Sequence, residues 1–171
     1  MSDTSEELRS RQAPLKERYR DDAAMAVIVL KASATLDAAG VACKVDTGRA
    51  LIEAGLHPAT GGSGLQACSG DMLLEALAAC AGVTLRAVAT ALDIPVRDGR
   101  IEVEGDLDVR GTLGVSKEAP VGFRAIRIRF LLDTGANQEQ MATLLRLTER
   151  YCVVLQTLQV PPSLTATMTG A

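Results

Sequence analysis

The chain has 171 residues, a net charge of −3, one histidine and no tryptophan, with hydrophobic residues at 47% and aromatics at 2%. A near-neutral balance without a basic block excludes the phosphate-neutralising surface of a nucleic-acid binder, and the scarcity of rings disfavours base stacking and carbohydrate platforms. The length fits one domain whose core is built from Leu, Val, Ile and Ala.

The opening MSDTSEELRSRQ is polar and charged, with no apolar stretch behind a basic start, so no secretory signal is expected and the chain reads as cytoplasmic. Residues 1–22 form a polar arm and 23–171 a single domain. From Ala24, AMAVIVLKASATL is β-branched and apolar; a turn at Asp37 to Gly40 and a returning strand over Val41 to Val45 make a hairpin. Thr47 to Leu56 fits either a third strand or a helical turn. His57 to Gly64 (HPATGGSG) is a loop. Its GGSG lacks the Lys-Ser/Thr ending of a phosphate loop, so these glycines read as turn formers, and His57 as a polar loop residue without the G-x-S-x-G elbow of a hydrolase.

Asp71 to Asp93 is a long helical pattern, capped by Ser69 or Asp71 and stopped by Pro95. Asp71, Glu75, Arg86 and Asp93 share one narrow stripe, and the rest of the circumference is largely apolar. It is long enough to span a bilayer, but Glu75 and Arg86 interrupt it and no second span follows, so no membrane association is expected. Its cover must come from the protein's own sheet or from a second copy. Arg100 to Arg110 alternates Ile101, Val103, Leu107 and Val109 inward, with a bulge expected at Gly105. Phe123 to Leu132 alternates Ile126, Ile128, Phe130 and Leu132 against arginines and pairs with it. Asn137 and Gln140 form a capping box opening a helix with the seam Met141, Leu144 or Leu145, Thr148, Cys152 and Leu155. Ser163 to Met168 reads as a closing strand. Strands, long helix, strands, helix and strand in that order give an α+β fold with a largely antiparallel sheet.

The four cysteines, Cys43, Cys68, Cys80 and Cys152, carry the chemistry. In a reducing compartment they are free thiols, metal ligands or redox centres rather than permanent staples. With one histidine and no two cysteines within four residues of each other, no metal site and no cofactor are expected. A buried cysteine alone is usually a small hydrophobe. Cys80 and Cys152 are different, since both lie on apolar helical faces, and a thiol pair brought together by folding can cycle through sulfenic acid and disulfide. The attacking thiol needs a depressed pKa. Burial works against that, so a cation from elsewhere is expected.

LLEALAACAGVTLRAVATALDIPV, then EGDLDVRGTLG, a Gly-Phe-x-x-Ile strand and LLRLTERYCVVLQTL together resemble the OsmC/Ohr family of thiol-dependent peroxidases, from about Gly61 to Met168. The resemblance implies an intertwined homodimer with its long central helices buried together, and an antioxidant, stress-response role. It implies Cys80 as the peroxidatic thiol, Cys152 as the resolving one, organic hydroperoxides as small-molecule substrates and a dithiol reductant that reopens the disulfide. In one branch of that family a Glu stands ten residues before the peroxidatic cysteine and pairs with an Arg from the N-terminal strands. Here that place is Gly70, and Asp71 is the nearest carboxylate. Nine residues place Asp71 about 13 Å along a continuous helix and about 180° round from Cys80. It can therefore serve only a partner chain's thiol. Arg49 is the candidate arginine, with Arg18 and Arg20 behind it, and Cys68 beside the helix start is a second reactive thiol candidate. Two alternatives stand beside the peroxidase: a dimer of the same fold that binds a small apolar ligand with little turnover, and a thiol enzyme acting on a non-peroxide electrophile.

Overall fold

The computed structural model describes residues 4–6, 10, 12–13, 33–36, 42–46, 51–114 and 116–170. The expected strand before Ser33, the turn at Asp37 to Gly40 and Arg18, Arg20 and Arg49 lie outside these residues. Strands β1 (Ser33–Leu36), β2 (Ala42–Asp46), β3 (Leu51–Gly55) and β4 (Ala67–Cys68) form one sheet in that order, with β4 parallel to β3 and the other pairs antiparallel. Within the stretch Thr47 to Leu56, Leu51–Gly55 thus resolves as a strand, and residues 47–50 lie outside the described residues. In the loop that follows, His57 caps a short turn over Pro58–Thr60, its Nδ1 accepting the Ala59 N–H at 3.0 Å, and Gly61 and Gly64 have φ of 94° and 77°. Those values leave little room for any residue but glycine.

Helix α1 (Ser69–Ala91) buries Leu77, Ala81, Leu85 and Ala89, one residue per turn on one face. Neither Ser69 nor Asp71 caps it: the N-cap position is Cys68, without a side-chain cap, and Asp71 sits in the first turn where its charge suits the dipole. The far end closes before Pro95. Asp93 turns left-handed at φ 53°, its N–H donates to the Thr90 carbonyl (3.2 Å) and that of Ile94 to Ala89 (2.9 Å), the paired bonds of a Schellman ending. Arg86 then ties the helix to the next strand by donating to the Val96 carbonyl at 2.5 Å.

Strands β5 (Val96–Leu107) and β6 (Phe123–Thr134) form a long antiparallel ribbon across α1. Ile101, Val103, Ile126, Ile128 and Phe130 face the helix. On the other face the register sets Glu102 opposite Arg129 and Glu104 opposite Arg127, and Arg129 donates to Glu102 at 2.8 Å and Arg127 to Asp106 at 2.5 and 2.7 Å. Exposed pairs like these fix register more than they add stability.

The bulge is not at Gly105, which pairs regularly with Ile126; the register slips between Asp106 and Leu107. Gly105 answers a different need, because a Cβ there would lie 2.6 Å from the Phe123 ring. Leu107 is exposed and Val109 leaves the strand, since Asp108 accepts the Arg110 N–H and caps a turn, α2 (Val109–Thr112). The hydrogen-bonded guanidinium of Arg110 holds the Asp108 carboxyl down to about 2.

Helix α3 (Gln138–Tyr151) opens on the expected capping box, Asn137 and Gln140 exchanging bonds of 2.9 Å. Leu144, not Leu145, is the buried member of the seam, and Thr148 is buried with its hydroxyl unpartnered. The seam does not run on as one helix. Cys152 is extended (φ −73°, ψ 105°), and a separate short helix, α4 (Val153–Gln159), starts after it. Gln156 straps this corner by donating its side-chain amide to the Glu149 carbonyl at 2.8 Å. The expected strand Ser163 to Met168 is unpaired, with Leu164 and Met168 about nine-tenths or more exposed. A strand needs a sheet edge beside it, and the described residues bring none there.

Leu77→Ala, which removes a fully buried side chain, is expected to lower unfolding free energy by about 2–5 kcal/mol. Gly105→Ala, through the Phe123 contact, is expected to cost about 1–3 kcal/mol. Urea denaturation measures both, and an unchanged midpoint for Gly105→Ala would contradict the close approach of the ring.

Candidate functional site

Helix α1 carries Cys80 half-buried beside the stripe of Leu77 and Ala81, and the corner between α3 and α4 carries Cys152 with no exposure at all. The two thiols are free, and Cys80 packs against the buried cluster that contains Cys152. Around them close Ile101, Val103, Ile126, Ile128 and Phe130 from the ribbon and Val154, Leu155 and Leu158 from α4. Two cysteines far apart in sequence therefore share one apolar chamber. Cys152 reaches it because the chain turns there: a continuous helix would have committed the next amide groups to intrahelical bonds, whereas a new helix start leaves its first N–H groups unpaired.

Those amides decide the electrostatics. Burial pushes the Cys80 thiol up, but the Val154 N–H, the Cys152 thiol, the Thr84 hydroxyl and the Val153 N–H all donate toward its sulfur, and the balance leaves it below its ordinary value. Cys152 goes the other way. Burial raises it, the Leu155 and Val154 N–H groups offset part of that, and the hydrogen bond and charge of Cys80 raise it again. The pair is thus asymmetric, with the Cys80 thiol lowered and the Cys152 thiol raised.

The donors facing Cys80 among the described residues are neutral. The arginines expected to supply a cation, Arg49 with Arg18 and Arg20, lie outside the described residues. Thr84 was open to discovery from sequence, standing four residues after Cys80 on the same helical face. Asp71 is exposed and lines another cleft, with Glu75, Arg100, Glu102, Glu104 and Arg129, so the chain does not bring it to its own Cys80. Cys68 is half-buried at the N-cap of α1. Cys43 lies in β2, with β3 between it and β4.

An α+β frame that holds two cysteines in contact, one thiol lowered and the other raised, defines a dithiol centre. The family model described as OsmC-like protein matches residues 62–167, more than half of the chain, and the chain belongs to that family. An OsmC-like protein from Mycoplasma pneumoniae superposes with a TM-score of 0.66 at 17% identity, over 78% of this chain and 89% of that one. A Legionella pneumophila structure described as an organic hydroperoxide resistance protein OsmC and predicted redox protein gives 0.61 at 19%, over 78% and 91%. The organic hydroperoxide resistance protein OhrB of Bacillus subtilis gives 0.52 at 20%, over 78% and 93%. At these identities the likeness is one of fold. A search of curated protein sequences finds no match.

Alkylation should discriminate between the two thiols. At a pH between the lowered value of Cys80 and the raised value of Cys152, iodoacetamide is expected to label Cys80 first, and labelling should fade as pH falls and Cys80 takes up its proton. Peptide mass spectrometry over a pH series reads this, and preferential labelling of Cys152 would reverse the assignment.

Proposed function

We propose that this protein is a cysteine peroxidase that reduces organic hydroperoxides. The observation that carries the reading is the asymmetric pair, Cys80 packed in the same apolar cluster as Cys152, with the first thiol lowered and the second raised. In the first step the Cys80 sulfur attacks the distal peroxide oxygen, the O–O bond breaks, and Cys80 becomes a sulfenic acid while the alkoxide takes a proton to leave as an alcohol. The Cys152 thiol then condenses with the sulfenic acid, forming the disulfide and releasing water. A dithiol reductant from the cytoplasm reopens it by thiol exchange, being oxidised to its own disulfide. The apolar side chains packed around the pair suit an organic rather than an inorganic peroxide.

A second copy of the chain belongs to this reading. Ala76, Ala79 and Val83 are exposed on an apolar face of α1, Val153 is exposed beside the thiol pair, and among the described residues the strand-like segment Ser163 to Met168 has no edge to join. A homodimer with its α1 helices against each other covers that face. Across such an interface Asp71, and Arg49 from the N-terminal strands, are the charged groups proposed to serve the neighbour's Cys80.

Stopped-flow reduction of cumene hydroperoxide tests the chemistry. Cys80→Ser is expected to abolish turnover, and Cys152→Ser to permit one oxidation and then accumulate sulfinic acid at Cys80. Mass spectrometry after peroxide should find a Cys80 to Cys152 disulfide in the native protein. A Cys80→Ser variant as fast as wild type would defeat the proposal. Inactivity of the native chain would leave the alternative of ligand binding, for which the groove of about 590 Å³ between β6 and α3, lined by Phe130, Leu131, Leu132, Met141 and Leu145, is the place. Sedimentation velocity checks the assembly, with a species of twice the 17.9 kDa chain mass expected and a monomer at micromolar concentration counting against it.

A further inference from the structure

No residue from Gln138 to Val160 is a proline or a glycine, yet the helix breaks at Cys152. A break without a breaker residue has to be held by the fold. In a continuous helix the Glu149 carbonyl accepts the N–H four residues on, that of Val153, and the extended Cys152 (φ −73°, ψ 105°) withdraws it. The carbonyl is not left orphaned. Gln156 donates its side-chain Nε2 to it at 2.8 Å, and the same amide donates to the Gln159 Oε1 at 3.3 Å. Gln156 also holds the near side of the break through its main chain. Its backbone N–H donates to the Cys152 carbonyl at 2.9 Å, while the Cys152 N–H donates to the Thr148 carbonyl at 2.9 Å. We propose that Gln156 is a positioning residue for the thiol pair: its side chain takes the place of the Val153 N–H on Glu149, and so keeps the helix broken at Cys152 and Cys152 seated in the buried cluster against Cys80.

Packing and strap favour the same state. Cys152 has no exposure and shares its cluster with Leu77 and Ala81 of α1, with Cys80, Val154, Leu155 and Leu158 packed against it. Restoring the bond from Val153 to Glu149 would require Cys152 to turn from ψ 105° to a helical ψ of about −40°. That rotation would redirect α4 and strip Val154, Leu155 and Leu158 from the cluster. The side chains of α4 hold the break from inside, and Gln156 removes the unpaired carbonyl that the break would otherwise leave outside. Glu149 and Gln156 are both exposed, so water competes for that carbonyl and the strap carries the weight of one partly hydrated hydrogen bond.

The role rests on the reading of Cys80 and Cys152 as a working pair, and the test separates the two. Gln156→Met keeps the length and helix propensity and removes the donor, Gln156→Ala is a second donor-free variant, and Gln156→Lys keeps a donor at similar reach. In glutathione buffers, Cys80 and Cys152 join as oxidised glutathione is reduced to two thiols, and mass spectrometry reads the fraction joined. The glutathione ratio at half oxidation, reduced squared over oxidised, is expected to fall about 2- to 10-fold in the donor-free variants, the effect of one hydrogen bond. Iodoacetamide labelling of Cys152 in the reduced protein is expected to rise by a similar factor, with labelling of Cys68 at the N-cap of α1 unchanged. Gln156→Lys is expected to return both readouts to native values. Native values in both donor-free variants would overturn the proposal, as would an effect that Gln156→Lys fails to reverse or an equal rise at Cys68, the mark of general loosening. Neither readout requires peroxide. A native chain that forms no disulfide between Cys80 and Cys152 would remove the peroxidase reading, and Cys152 labelling would still decide the strap.

Discussion

The chemistry of this protein depends on a break in a helix. Between α3 and α4 the chain goes extended for a single residue, Cys152, and the restart leaves the N–H groups of Val153, Val154 and Leu155 without partners of their own. Two sulfurs accept them. A thiolate in an apolar chamber is costly unless donors replace the water it has lost, and here the replacements are backbone groups that need no side-chain ordering when the charge forms. The Gln156 strap across the corner and the bond from the Cys152 N–H to the Thr148 carbonyl at 2.9 Å hold that geometry in place.

The rest of the fold serves to deliver Cys80 to the corner. Helix α1 contributes one buried residue per turn, and along that stripe Leu85 and Ala89 meet Leu144 while Leu77 and Ala81 meet Cys152. The two helices therefore run antiparallel, which sets the middle of α1 against the end of α3. The ribbon closes the chamber from a third side with β-branched residues and one phenylalanine. Its cross-strand charges keep the register that points those residues inward, because a slip of one residue would turn them to solvent. Gly105 shows how tight the closure is: the ring of Phe123 occupies the space its side chain would take.

Exposure completes the picture. α1 is apolar and long enough to cross a bilayer, yet among the described residues the buried positions of the helix fall on one face. The uncovered face, the exposed Val153 and the unpaired strand-like tail lie around the same helix and the same thiols. Association of two copies would finish the fold and the site together.

The sequence by itself determined a good part of this. Alternation placed Ile101 and Val103 inward and paired them with Ile128 and Phe130, the capping box marked the start of α3 at Asn137, and the family resemblance singled out Cys80 and Cys152. These are local signals, each written in spacings of two, three or four residues. Other features stayed out of reach for one shared reason. Nothing near Cys152 is a proline or a glycine, so the corner is a product of tertiary packing and the seam read straight through it. The reason for Gly105 lay in Phe123, nearly twenty residues on. Ser163 to Met168 has strand chemistry but no neighbour. Only the tertiary structure decided which thiol is lowered and which is raised, because that depends on where unpaired amides point, and amides carry no side-chain identity for a sequence to record.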